Sequence, residues 1–470
     1  VIVPFVAPPL LGTIYPSDDE MALVNRLINR LTFYGAANTE AEERYEGSWA
    51  ASQFGISIPP SMSSLVTVAG WPGSVVDVLE ERLDWLGWSS DGDDYGLGDV
   101  YAENGLDVDS GMAHIDALIF GTSFLAVGTG VNGEPNPLVT PHSPRNMTAI
   151  WDRRLRRVSA AVSVVASEGN ITEATLYLPD ETATFNHDNG KWGVVDRDRH
   201  NLGRVPVVQM PNRIRGSRET GRSEITKAVR YYADAAMRTL LGLEVNREFY
   251  NSPQRVVLGA DETMFRNPDG TTSSPWTAIM GRIWAVPQTE DGDNPDVKQF
   301  QPASPAPYLD QVKGYAQLLA AEAGIPAAYL GFQTDNPASA DAIRAGEARL
   351  VKRAERRQSV FGRSWLEVAR LALLVRDGSL PDDFAQRISN RWRDAATPTR
   401  SAAADETTKY VGAGVLPADS TVTWDRMGLS PAEQRQVSAD RRRANGAQVL
   451  RALAAVNAPT QSDAEPDAPA

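Results

Sequence analysis

The stretch Gly324-Ile325-Pro326-Ala327-Ala328-Tyr329-Leu330-Gly331 stands between two helical patterns and limits what this chain can fold into. Tyr308 to Ala323 reads as a helix, and Gly324 with Pro326 should end it, because glycine suits a left-handed cap and proline cannot continue the ladder. After Asn336-Pro337-Ala338-Ser339 the pattern restarts and holds from Ala340 to Val375, about ten turns. Ile343, Leu350, Ala354, Phe361, Trp365, Val368 and Ala372 fall three, four or seven apart, which keeps them on one face. Gly346 and Gly362 are weak points in that helix. Two rods joined by a tight loop hold the loop at a fixed place. No side chain from Gly324 to Gly331 suits acid–base or nucleophilic work at neutral pH, so the stretch is built to be positioned, not to react.

At 470 residues the chain is long enough for more than one domain. It has no cysteine, which rules out disulfides and thiolate metal sites and fits a reducing cytoplasm. No apolar run reaches the roughly 18 residues of a membrane span. Val1 to Leu11 carry apolar residues without a basic flank, so no signal peptide is expected. The formal net charge is −14. A protein that grips DNA statically neutralises phosphates with a basic surface. This chain either avoids nucleic acid or meets it without holding it, as the wall of a channel would. Taken alone, the acidity is also what solubility requires.

Along the chain, Asp18 to Tyr34 reads as an amphipathic helix on Met21, Val24, Leu27 and Leu31, capped by Ser17 or Asp18. Trp49 to Pro60 is loop-like. Val75 to Leu86 and Glu103 to Leu118 read as further helices, with an acidic turn at Asp91 to Asp99 and a β-like run at Phe120 to Val127. From Leu138 to Val208 the period becomes that of strands: Met147 to Asp152, Val158 to Val165, Thr172 to Leu178, Glu181 to Phe185 and Lys191 to Val195. Asp188-Asn189-Gly190 is a hairpin turn, and the sum is an antiparallel sheet. Gly221 to Tyr250 returns to helix, with Ser223 as N-cap and Glu224 complementing the dipole. Residues 253 to 306 form a turn-rich insert with β-like pieces at Gln254 to Leu258 and Arg282 to Val286. Thr421 to Leu429 is strand-like, Ser430 to Val456 is a basic helix, and the Pro- and acid-rich end, Ala458 to Ala470, is expected to be disordered.

Motifs for chemistry fail on context. Gly128-Thr129-Gly130-Val131-Asn132-Gly133 spells a dinucleotide pattern, but Glu134-Pro135-Asn136-Pro137 follows where a helix must start. No Walker A sequence is present. Asp91-Gly92-Asp93-Asp94 starts like a calcium loop, yet Tyr95 stands where a third oxygen ligand belongs. His114, His142, His187 and His200 show no metal-binding spacing. No cofactor, metal or catalytic residue is expected. The basic stripe of Arg349, Lys352, Arg353, Arg356 and Arg363 is either a solvated face laced with Glu347 and Glu355, or a surface that meets acid on an identical neighbour or lies near DNA.

The order of these segments resembles the portal proteins of tailed double-stranded DNA bacteriophages, the siphophage type. The wing is similar to Val75-Val76-Asp77 through Gly87-Trp88, His114-Ile115-Asp116-Ala117-Leu118 through Gly121, and the sheet closing at Leu202-Gly203-Arg204-Val205-Pro206-Val207-Val208. Gly221-Arg222-Ser223-Glu224-Ile225 resembles the start of the first stem helix, and Trp424 to Leu429 with the helix after it resembles the crown. The likeness covers about residues 15 to 455 and lies in order and spacing, since each motif alone is short.

That resemblance implies a mixed α+β, multi-domain portal-like fold. Its parts are a wing over 1–220, a first stem helix over 221–252, a clip over 253–306 and a second stem helix over 307–324. A tunnel loop over 325–339, a long helix and return to the wing over 340–400, a crown over 401–456 and a disordered tail over 457–470 complete it. It implies a homo-oligomeric ring of about twelve subunits at one capsid vertex. Double-stranded DNA would pass through in packaging and ejection, and no reaction would be catalysed. The partners implied are the terminase large subunit, a head–tail connector (adaptor) protein, the major capsid protein and scaffold, with assembly in the host cytoplasm and no membrane. Phe332, Gln333, Thr334, Asp335 and Asn336 would line the channel, bracketed by Gly324, Pro326, Gly331, Pro337 and Ser339. The alternatives are a minor phage head-assembly protein and a hydrolase with dispersed catalytic residues.

Overall fold

The computed structural model of the chain describes residues 16–49, 69–131, 133–167, 169–188, 191–251, 255–258, 296–299, 304–332, 340–397 and 400–456. It divides into two compact units, Val1–Ala395 and Ala396–Ala470.

In the first unit, helix Asp18–Tyr45 opens on a capping box: the Ser17 hydroxyl accepts from the Glu20 N–H, and the Glu20 carboxylate accepts from the Ser17 N–H. Val24, Leu27 and Leu31 bury their stripe among Val162, Leu176 and Phe185 of a five-stranded antiparallel meander. The meander runs in sequence order through Met147–Asp152, Arg157–Ser167, Asn170–Tyr177, Thr182–Asp188 and Lys191–Asp198. These are the five expected strands, and Asp188 pairs with Lys191 where the hairpin turn was read. The Phe120–Val127 run belongs elsewhere. Strand Thr122–Gly128 is the centre of a three-stranded antiparallel sheet between Leu138–His142 and Val207–Pro211.

Three expectations need correction. The helix expected over Val75 to Leu86 spans Trp71–Glu80, and Trp85–Ser90 is a strand. It pairs with Ile388–Trp392 from beyond the long helix, a contact that local periodicity cannot show. The single helix over Glu103 to Leu118 is two, Leu97–Glu103 and Leu106–Phe120, divided at Gly105. The strand-like Thr421 to Leu429 is helical over Thr421–Arg426, where Ser420 caps the first turn and Trp424 is buried.

The main core of this unit surrounds the 38-residue helix Ala340–Asp377, about 57 Å long at 1.5 Å per residue. Trp365 stacks on Trp85 with centroids 4.0 Å apart, and Phe361 stacks on His114 at 5.1 Å. Leu350, Ala354, Val368 and Ala372 are buried along the same stripe, as the spacing predicts, whereas Ile343 near its start is 52% exposed. Helix Lys227–Asn251 runs beside helix Ala306–Ala323, close enough that a Cβ on Gly242 would lie 3.0 Å from Tyr308 Cε1. Beyond that pair, Arg255–Leu258 and Asp296–Gln299 form an antiparallel ladder. The expected strand at Arg282 to Val286 and the tail 457–470 lie outside the described residues. The second unit holds helices Arg400–Gly412, Thr421–Arg426 and Pro431–Val456.

Candidate functional site

The base of the loop is built by the residues that end its first helix. Gly324 takes φ +69°, and its N–H donates to Ala320 O at 2.8 Å. A Cβ there would lie 2.9 Å from both Arg349 Nε and an Arg353 nitrogen, ends of flexible side chains that can shift, so it is the left-handed backbone that favours glycine. Pro326 then turns the chain into a 3-10 turn over Ala327–Leu330, which Gly331 closes at φ +88°. Ile325 and Leu330 are buried, and Phe332 meets the edge of Trp71 at 6.4 Å between centroids. Gln333, Thr334, Asp335, Asn336, Pro337 and Ser339 lie outside the described residues. The structure thus fixes the two ends of the loop, Phe332 and the start of the long helix.

Two polar clamps hold that base. In the first, Tyr329 donates its hydroxyl to Glu347 Oε1 at 2.5 Å, across the loop from one helix to the next. Arg82 pairs with the same carboxylate at 3.3 Å, donates to the Tyr329 hydroxyl at 3.3 Å and to Ala395 O at 2.9 Å. Burial, and then the hydrogen bond to Glu347, push the Tyr329 phenol up.

The second clamp centres on Glu224, which is 1% exposed. Helix Lys227–Asn251 begins after it, so Glu224 does not serve the helix dipole as the sequence suggested. Its Oε2 meets Arg353 at 2.5 Å and Arg213 at 3.4 Å, and its Oε1 meets Arg357 at 2.5 Å. Asn212 joins the set: its amide donates to Glu224 Oε1 at 3.1 Å, and its carbonyl accepts from Arg357 Nε at 3.2 Å. Burial alone raises a carboxyl. Here the guanidiniums of Arg357, Arg353 and Arg213 outweigh it and hold Glu224 below the usual range. Arg353 is pulled down by its own burial, against Glu224 and with Arg357 and Arg213 alongside. Next to Glu224, Gly221 runs so close to the C-cap of helix Leu106–Phe120 that a Cβ would lie 1.9 Å from Gly121 O. The clamp ties the segment before helix Lys227–Asn251 to the long helix Ala340–Asp377.

The basic stripe therefore divides. Arg353 turns inward to Glu224, and Arg349 donates to Ala321 O at 2.8 Å. Lys352 pairs with Glu355 at 2.6 Å on the surface, and Arg356 and Arg363 are exposed. Of the two glutamates read as lacing the face, Glu355 does so, and Glu347 belongs to the first clamp. Arg82 and Arg213 were not singled out from sequence, and Arg357, which counts there among the basic residues off the apolar face, is instead buried against Glu224. Arg357 had a signal: it falls three after Ala354 and four before Phe361, inside the apolar stripe, where an arginine must find a buried partner.

Elsewhere the chemistry-bearing motifs are structural. His114 is fully buried, and its Nε2 accepts from Trp365 Nε1 at 3.0 Å. Burial pushes its pKa down to about 3 against a pull from the Leu83 backbone, so the ring is neutral. The glycine-rich run after Gly128 leads to strand Leu138–His142, not to a helix. In the acidic turn, Asp94 accepts the N–H groups of Gly96 and Gly98, each at 3.0 Å, at the start of helix Leu97–Glu103. Among the described residues no group of side chains could hold a metal ion, and no helix is long and apolar enough to cross a membrane.

Comparison with known proteins gives a consistent result. The model of the family described as "Phage portal protein, SPP1 Gp6-like" matches residues 88–438. The portal protein of Mycobacterium phage D29 is 35% identical over 407 residues, covering 84% of this chain and 82% of that protein. That of Mycobacterium phage L5 is 35% identical over 401 residues, covering 82% and 80%. Among solved structures, a chain of the neck of an empty GTA particle, computed with C6 symmetry, is similar at TM-score 0.44 and 14% identity, covering 77% of this chain and 90% of that one. A chain from the virion of the native gene transfer agent particle is similar at TM-score 0.37 and 14% identity, covering 90% and 96%.

Proposed function

This chain belongs to the SPP1 Gp6-like family of phage portal proteins, and we propose that its copies form a ring at one capsid vertex through which the genome enters and leaves. The ring holds about twelve subunits in closed cyclic symmetry. The observation that carries the reading is the loop base. Two helices converge on Gly324 to Phe332, and two clamps lock them to the wing, which is the support a loop needs to act at a fixed radius. The segment Phe332 to Ala338 of each subunit projects into the channel and forms its narrowest point. Gln333, Thr334 and Asn336 offer passing polar contacts to a sliding phosphate backbone, while Asp335 repels it. A net charge of −14 suits a wall that must not retain DNA.

The insert at 253–306 is a clip that docks the terminase large subunit during packaging and the connector protein afterwards. The major capsid protein and scaffold meet the wing. Arg356, Arg363 and Lys352 are left to face a neighbour or the DNA path. None of these roles makes or breaks a covalent bond, and the motor that drives DNA is a separate protein. Replacing Phe332 and Gln333 by alanine tests the loop. Assembly into rings should be unchanged in sedimentation, and DNA retained per particle should change at least about twofold. Normal packaging and retention in this double variant would remove the loop from the channel account.

A further inference from the structure

The flank of the wing carries an exposed aromatic and basic cleft that the ring reading leaves without a role. Phe33 is 78% exposed and Tyr34 is 44% exposed, next to each other on helix Asp18–Tyr45. Beside them Arg30, Tyr34, Trp151, Arg153 and Arg218 line a cleft of about 330 Å³. Arg30 lies against the Tyr34 ring at 5.9 Å, and Arg153 keeps one partner, Glu219, at 3.1 Å. Exposed aromatic and arginine side chains gathered in this way mark contact surfaces more than solvated ones.

A second surface has the opposite character. On helix Leu106–Phe120, Val108 is 66% and Met112 49% exposed, one turn apart on one face. Asp107 and Asp109 flank them, and neither has an ion pair among the described residues. Asp109 is held up by burial and by Asp107, as a carboxylate without a cation would be.

We infer that the cleft of Arg30, Tyr34, Trp151, Arg153 and Arg218 receives the Val108–Met112 face, with Asp107 and Asp109, of a second copy of this chain. The inference rests on the ring reading and names its contact. The two surfaces share no residue, so the contact is head-to-tail, the kind that closes into a ring. A second copy is favoured over nucleic acid because it supplies both halves of the complement. Phosphates would answer the arginines and leave Phe33 in water, whereas Val108 and Met112 cover the ring while the aspartates meet the guanidiniums.

The test uses charge exchange in the full chain. One variant carries Arg30→Glu with Arg153→Glu, the other Asp107→Lys with Asp109→Lys. Each alone should need at least about tenfold more protein to assemble in sedimentation. An equal mixture should assemble again, since every contact between unlike variants is then complementary. Phe33→Gln and Met112→Gln, both on exposed side chains, should weaken assembly without change in far-ultraviolet circular dichroism. Rings from each charge variant at wild-type concentrations would overturn the inference and leave the ring reading standing. Unchanged assembly with lost affinity for a DNA duplex in the arginine variant would give the cleft to nucleic acid instead. A wild-type chain that stays monomeric would overturn both readings.

Discussion

Glu224 shows how one residue carries more than its sequence context suggests. It stands where a helix-opening glutamate is ordinary, yet among the described residues it is the carboxylate that Arg213, Arg353 and Arg357 share. Removing one partner from a buried ion set leaves the others uncompensated, which typically costs about 3–5 kcal/mol. Glu224→Gln keeps the shape and deletes the charge, so it should lower unfolding stability by about that much at neutral pH in urea titration. The pH dependence has a definite sign. The folded pKa lies below the ordinary 4.5, so the stabilisation is complete above that value and is lost as pH falls through the folded pKa. The variant should lack this acid-dependent component. A loss of under about 1 kcal/mol at neutral pH would mean that the arginines find other partners.

At the scale of elements, the insert gives the clearest test. Leu258 pairs with Asp296 across the ladder, so the two chain ends there are neighbours. Deleting Asp261 to Pro295 would leave Gly259-Ala260 as a two-residue turn between paired strands, a length that hairpins accept. We expect soluble rings that no longer bind terminase or connector in a pull-down. Loss of native circular dichroism in the deleted chain would make the insert part of the core.

The same scale separates what was legible in the sequence from what was not. The long helix, the five-stranded meander and the Gly324 cap follow from period, alternation and backbone chemistry, which are local. Strand Trp85–Ser90 was not legible, because its partner Ile388–Trp392 comes from beyond the long helix and Trp85 and Trp88 fit either period. Helix Thr421–Arg426 was misread because Thr421, Val422 and Thr423 favour strands, and the cap at Ser420 with burial of Trp424 overrode them. Near the loop, the caps at Gly324 and Gly331 and the turn at Pro326 were readable as local backbone features. The clamps were not, since Arg82, Glu224 and Tyr329 gain their partners only from tertiary packing.

At the scale of the molecule, the account makes the chain a structural part whose function exists only in copies. The long helix, its aromatic core around Trp365 and the two clamps are the parts proposed to support the segment that follows Phe332. Cryo-electron microscopy of the purified full-length protein tests this directly. The account predicts closed rings of about twelve subunits with residues 332–338 of every copy nearest the axis, at the narrowest part of the channel. Monomers, open filaments, or rings with that segment on the outer rim would contradict it.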